Sequence, residues 1–100
     1  MNIICEMFVT DFFKLSSGHI ALTGNIIPNI EKFVPKSRAD VYFGEQKVRT
    51  INLIGEDRFS GVDEAKRQGR RSVRTDDDIF SELKSKGNKE IKLIIYEIGE

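Results

Sequence analysis

The sequence predicts a mainly β fold, a small Greek-key-like β-barrel with one short α-helix before the last strand, and three observations predict it. Apolar residues alternate with period two at Ile3, Cys5, Met7 and Val9, the spacing of a strand with one buried face. Glycine-containing turn signals recur at short intervals, at Ser16-Ser17-Gly18-His19 and at Gly44-Glu45-Gln46. A third stretch, Thr75 to Gly87, carries the start and stop signals of a helix.

Taken in order, residues 3 to 15 form the first strand, with a bend or bulge at Thr10-Asp11 where the alternation breaks. The turn at Ser16 to His19 returns the chain along Ile20 to Ile27, closing a hairpin. Pro28-Asn29 and Pro35-Lys36 bracket a loop in which Ile30, Phe33 and Val34 cover one end of a barrel. A second hairpin pairs Asp40 to Phe43 with Lys47 to Ile54. From Gly55 to Arg74 the chain turns polar and densely charged, and mobility is expected there. Thr75 then caps a helix over about 76 to 86, with acids in its first turn, lysines in its last and Ile79, Phe80 and Leu83 facing the barrel. Glu90 to Ile98 is the final strand, whose apolar middle places it centrally in the sheet or buries both its faces.

One hundred residues, 39% hydrophobic and 32% charged, describe a single domain over 1–100 with a charged loop or helix insertion at about 55–87. A chain of this size has little room for a deep catalytic cleft with its supporting shell, and the expectation is a protein that is not an enzyme and needs no cofactor. Sixteen basic residues balance sixteen acidic ones, so any site for a polyanion must be local. A single cysteine, Cys5, precludes an internal disulfide framework; its apolar neighbours make it a core thiol in a reducing compartment. The N-terminus lacks a basic region followed by a signal-length apolar run, and no stretch approaches the roughly 20 apolar residues that span a bilayer. The expectation is cytoplasmic localisation, with no membrane partner.

The first hairpin, Asp11-Phe12-Phe13-Lys14-Leu15-Ser16-Ser17-Gly18-His19-Ile20-Ala21-Leu22-Thr23-Gly24-Asn25-Ile26, resembles the opening hairpin of domain II in translational GTPases such as elongation factor Tu. Lys36 to Phe43, Val48 to Ile51 and Ile91 to Ile98 are similar to the next strands of that domain, in the same order. The resemblance covers roughly residues 6 to 54 and 87 to 98. It implies a stand-alone domain-II-like barrel and, from the role of that domain in holding the 3′ end of aminoacyl-tRNA, an RNA-linked alternative function. Three features depart from the family: Gly18-His19 replaces an arginine-glycine turn, Arg38 replaces a glycine, and the stretch from Gly55 to Arg74 is longer. The phosphate loop and GTPase domain are absent from this sequence, which removes GTP hydrolysis by that route.

Three groups of residues invite a chemical reading. His19 beside Ser16 and Ser17 has the composition of a nucleophile and base, but neighbours within one tight turn do not supply an orienting third group and an oxyanion site. Asp76-Asp77-Asp78 has the oxygen ligands of a divalent-metal site, yet consecutive helical residues diverge and acids at a helix N-terminus are stabilising without metal. Lys66, Arg67, Arg70, Arg71 and Arg74 are the densest basic cluster. On a helix Arg67, Arg70, Arg71 and Arg74 share one face and form a stripe for phosphates or an acidic protein surface, although Gly69 weakens such a helix; as a loop they pair with Asp57, Glu64 and Asp76 to Asp78.

The leading expectation is a non-enzymatic protein that binds and neutralises a partner, a toxin domain, as small immunity proteins do. The insertion from Glu56 to Asp78 is its contact surface, with Arg58, Phe59, Arg67, Arg70, Arg71 and Arg74 as the binding residues. The alternative is an RNA-binding or ribosome-associated module that sets the same arginines on phosphates and Phe59 against a base.

Overall fold

Six strands close into a ring in the computed structural model, which describes residues 2–56 and 70–98. β1 (Ile3–Lys14) and β2 (Ile20–Ile27) form the first hairpin, β3 (Ser37–Phe43) and β4 (Gln46–Glu56) the second. β5 (Arg70–Thr75) and β6 (Ile91–Tyr96) complete the ring in the order β1-β2-β5-β4-β3-β6, and every neighbouring pair is antiparallel. The run β2-β5-β4-β3 is a Greek key: three strands in chain succession with the strand that precedes them folded back beside the third. Closure leaves none of these six strands with an open edge to pair with another chain.

The period-two alternation decides what fills the ring. Cys5 and Met7, Leu22 and Ile26, Ala39 and Val41, Ile51 and Leu53, Val73, and Ile91, Leu93 and Ile95 all point inward and are buried. Val34, from the loop after β2, closes one end, and Ile79 and Leu83 pack from the segment before β6. The central place of β6 holds: it pairs with β1 on one side and β3 on the other, with one face fully buried and the other half-exposed.

The break at Thr10 is a β-bulge, where the β1–β2 register slips between Val9 and Asp11. Opposite it, Gly24 is required by a close approach. A Cβ there would collide with the carbonyl oxygen of Phe8 and lie 2.9 Å from the Cα of Val9.

Two expectations are corrected. The charged segment is not one loop or helix insertion across 55–87: Gly55 and Glu56 end β4 and residues 70–75 are β5, the strand joining β2 to β4. Residues 57–69 lie outside the described residues. The helix, α1 (Phe80–Lys84), is also shorter than 76–86. Thr75 does not cap it; its hydroxyl donates to the Asn52 carbonyl at 2.5 Å and accepts from the Asp77 amide at 3.1 Å. The Asp77 carboxylate accepts from the Asn52 amide at 2.6 Å. Residues 75 to 77 therefore stitch the end of β5 to β4 and are not free to start a helix. Among the described residues no helix is long and apolar enough to cross a membrane.

Replacing Gly24 with alanine forces the bulge open, and a loss of about 3 kcal/mol of stability is expected in urea unfolding. A Gly24→Ala variant as stable as the parent would mean that the β1–β2 approach is looser than described.

Candidate partner-binding rim

Strands β1, β3 and β5 begin, and β2, β4 and β6 end, at the same, lower end of the barrel. The chain leaves that end at Glu56 and re-enters it at Arg70. The loop 28–36 lies across it and is held by one buried ion pair. Arg71, 2% exposed, points into the barrel and its Nη1 donates to Glu56 Oε1 at 2.8 Å. Its guanidinium also donates to Asn29 Oδ1 at 3.1 Å, to the Lys32 carbonyl at 3.4 Å and to the Ile30 carbonyl. Glu56 completes the lock: Oε1 accepts from the Val34 amide at 2.8 Å, and its own amide donates to the Val34 carbonyl at 3.0 Å. Burial of the pair is tolerable because both Nη groups of Arg71 and Oε1 of Glu56 are met by oriented hydrogen-bond partners, only the buried Nε of the guanidinium lacking one.

This geometry separates the residues expected to bind together. A strand sends neighbours to opposite faces, so Arg71 lies inside while Arg74, half-buried and engaged by its neighbours, lies outside. The helical stripe of Arg67, Arg70, Arg71 and Arg74 is therefore not formed by the described part of it. Arg71 is a structural anchor, inaccessible to a phosphate or a partner. Arg70 opens β5 beside Asn25 of β2. Arg58, Phe59 and Arg67 fall within 57–69, outside the described residues. Among the described residues, Asp76 to Asp78 included, no cluster of three His, Cys, Asp or Glu is placed to hold a metal. The only histidine, His19, sits in the β1–β2 turn with its amide donating to Ser17 Oγ at 3.4 Å.

What the rim does present is apolar. Ile3 is 58% exposed and Ile27 61%, with Ile54 at 43% and Ile98 at 41%; the first three lie at or near strand ends on this side, and Ile98 follows the end of β6 there. Ile3 borders a hollow of about 220 Å³ shared with Ile30, Pro35, Lys32 and Glu97. Ile54 and Ile98 border a second, of about 410 Å³, shared with Lys36, Ser37 and Asp76. Pro35-Lys36 and Glu97-Ile98 are consecutive pairs split between the two, so the hollows adjoin along the locked loop. The resulting shelf has an apolar floor and a rim of both charge signs, the composition of a protein-recognition surface. These isoleucines were missed as site residues, though a signal existed. Ile3-Ile4, Ile26-Ile27 and Leu53-Ile54 are adjacent apolar pairs, and in a strand one member of each must face outward.

Cys5 lies inside the barrel, 1% exposed. Burial pushes its thiol up to about 11, only partly offset by Arg71, while Glu56 and Glu6 add to the rise. The thiol is therefore protonated and shielded, and alkylation at about pH 8 is expected only after denaturation. Modification of the folded protein would show that the lower end of the barrel opens. For the ion pair, Arg71→Met is expected to cost about 4 kcal/mol in urea unfolding because Glu56 is left buried and unpaired. Adding Glu56→Leu should recover part of that loss, and a double variant no better than the single one would count against the lock.

No family model, no curated protein and no solved structure matches this chain.

Proposed function

We propose that this chain is a non-enzymatic binding domain that recognises a protein partner through the lower rim of its barrel, and that it works as immunity-type proteins do, by occupying and neutralising a toxin domain in the cytoplasm. The observation that carries the reading is the apolar shelf formed by Ile3, Ile54 and Ile98 around two adjoining hollows. Exposing such residues to water is unfavourable unless a partner covers them, and a partner's apolar side chains in the hollows would form the energetic centre of an interface. Lys32, Lys36, Asp76 and Glu97 around the shelf supply charges of both signs, which suit a folded protein better than a polyanion.

As part of the proposal, Arg58, Phe59 and Arg67, which fall between Glu56 and Arg70 in the chain, add charge-assisted and aromatic contacts to the partner. Kinship with the domain II barrel of translational GTPases is part of the proposal. A rigid barrel with a preformed rim lowers the ordering cost of binding.

The test is affinity capture from native lysate with and without nuclease, repeated with Ile3→Asp and Ile98→Asp. Both positions are exposed, so the thermal melt should be unchanged. A single stoichiometric protein is expected that survives nuclease and binds each variant about 30-fold more weakly, as for a central interface residue. Retention of that protein by both variants would remove the rim from the interface, and capture of ribosomal components alone, lost on nuclease treatment with no nuclease-resistant protein left, would replace the protein partner with RNA.

A further inference from the structure

The outer wall of the barrel carries a second surface of different chemistry. Its pattern follows from strand register. Phe8 of β1 lies opposite Lys92 of β6, Lys92 lies opposite Tyr42 of β3, and Tyr42 lies opposite Lys47 of β4. Four adjacent strands thus present an aromatic, a lysine, an aromatic and a lysine in one row, on strands spaced roughly 4.8 Å apart. Lys92 Nζ stands 5.5 Å from the centre of the Tyr42 ring. Phe8 is 40% exposed.

At the Phe8 end the row runs into a cleft of about 310 Å³, which the bulge at Thr10 helps to shape. Phe12 lines one wall, held edge-on against Phe80 with ring centres 5.7 Å apart. Lys86 and Lys89, from the segment between α1 and β6, line the other with Glu90. Neither lysine forms an ion pair among the described residues, and Lys86 Nζ donates to the Gly87 carbonyl at 3.3 Å. Acids accompany the other two: Lys92 lies 3.9 Å from Glu6 and Lys47 lies 3.4 Å from Asp40. Burial alone would raise the Asp40 carboxyl, but Thr50, Lys47 and Tyr96 outweigh it and hold it below the usual value. Asp40 therefore stays anionic and orients the lysine at the end of the row. The Lys92–Glu6 pair is long and partly solvated, so Lys92 can turn to a phosphate at little cost, while Lys47 stays on Asp40 and offers its remaining N–H groups.

We propose that this cleft and row form a binding site for single-stranded nucleic acid, with Phe8 and Tyr42 stacking on bases and Lys47, Lys86, Lys89 and Lys92 meeting the backbone. Alternation is the reason to prefer this occupant over an acidic peptide. A peptide carboxylate needs the lysines alone, whereas interleaved aromatic faces match a chain in which flat rings and negative charges repeat together. A duplex hides its base faces and cannot use Phe8 or Tyr42. The site is separate from the rim, and none of its residues is used there.

The experiment is fluorescence anisotropy of the full chain with a labelled mixed-sequence single-stranded oligonucleotide, with the corresponding duplex and poly-glutamate as competitors. Binding is expected to weaken about 50-fold between about 50 and about 200 mM salt if four phosphates are met. Phe8→Ala should weaken it about tenfold, and Lys86→Glu with Lys89→Glu should abolish it, all with unchanged melting temperature because these side chains lie outside the core. Ile3→Asp should leave it intact, which separates this site from the rim. Absence of oligonucleotide binding at low salt, indifference to Phe8→Ala, or equal competition by poly-glutamate would each overturn the proposal.

Discussion

The guanidinium of Arg71, enclosed at the lower end of the barrel, is the constraint on which much of the molecule depends. A charge in that position requires acceptors on several sides, and they come from two separate parts of the chain: Glu56 at the end of β4, and Asn29, Ile30 and Lys32 in the loop after β2. The loop therefore cannot swing away from the barrel without leaving the cation short of partners in an apolar interior. Val34 is carried into the core by the same lock, and Cys5 is sealed within it. The ion pair also joins β4 to β5 where the ladder is thinnest, since those strands share only three register positions.

From that lock follows the shape of the lower rim. With the loop fixed, Ile30, Pro35 and Lys36 become walls of standing hollows, and exposed isoleucines border them without collapsing into the core. The core is already filled by the opposite face of each strand, and close packing leaves no volume for them. Apolar surface is thus held open by geometry. The outer wall has another origin: its side chains come from strands whose register with their neighbours is rigid, so aromatic and lysine residues distant in sequence are set in a row. One small barrel in this way offers an apolar shelf at its end and a basic aromatic strip along its side.

Much of the barrel was legible because local signals and the global fold agree. The β1–β2 hairpin, the bulge at Thr10, the Gly44 turn with its positive φ of 63°, and the apolar β6 each answer to short-range chemistry that the closed ring reinforces. The failures occur where local preference was outvoted. Arg70 to Thr75 read as a charged segment because three arginines dominate its composition, while Val73 and Thr75, the β-branched residues that face inward with Arg71, are only two. Asp76 to Asp78 read as a helix start because acids favour that place, but the Asn52 amide competes for Asp77 and wins.

By itself the sequence determined the class of fold, most strand positions and the inward set of side chains, because period-two alternation and turn chemistry act over a few residues and need no partner to be recognised. It also implied that adjacent apolar pairs must expose one member. Tertiary structure alone decided which strands are neighbours, and so which residues meet: that Arg71 pairs with Glu56 inside while Arg74 stays outside, that isoleucines from β1, β2, β4 and the end of β6 gather at one end, and that Phe8, Lys92, Tyr42 and Lys47 align. Those juxtapositions depend on ring order and register, which are set by the packing of the whole core and leave no mark in any short stretch of chain.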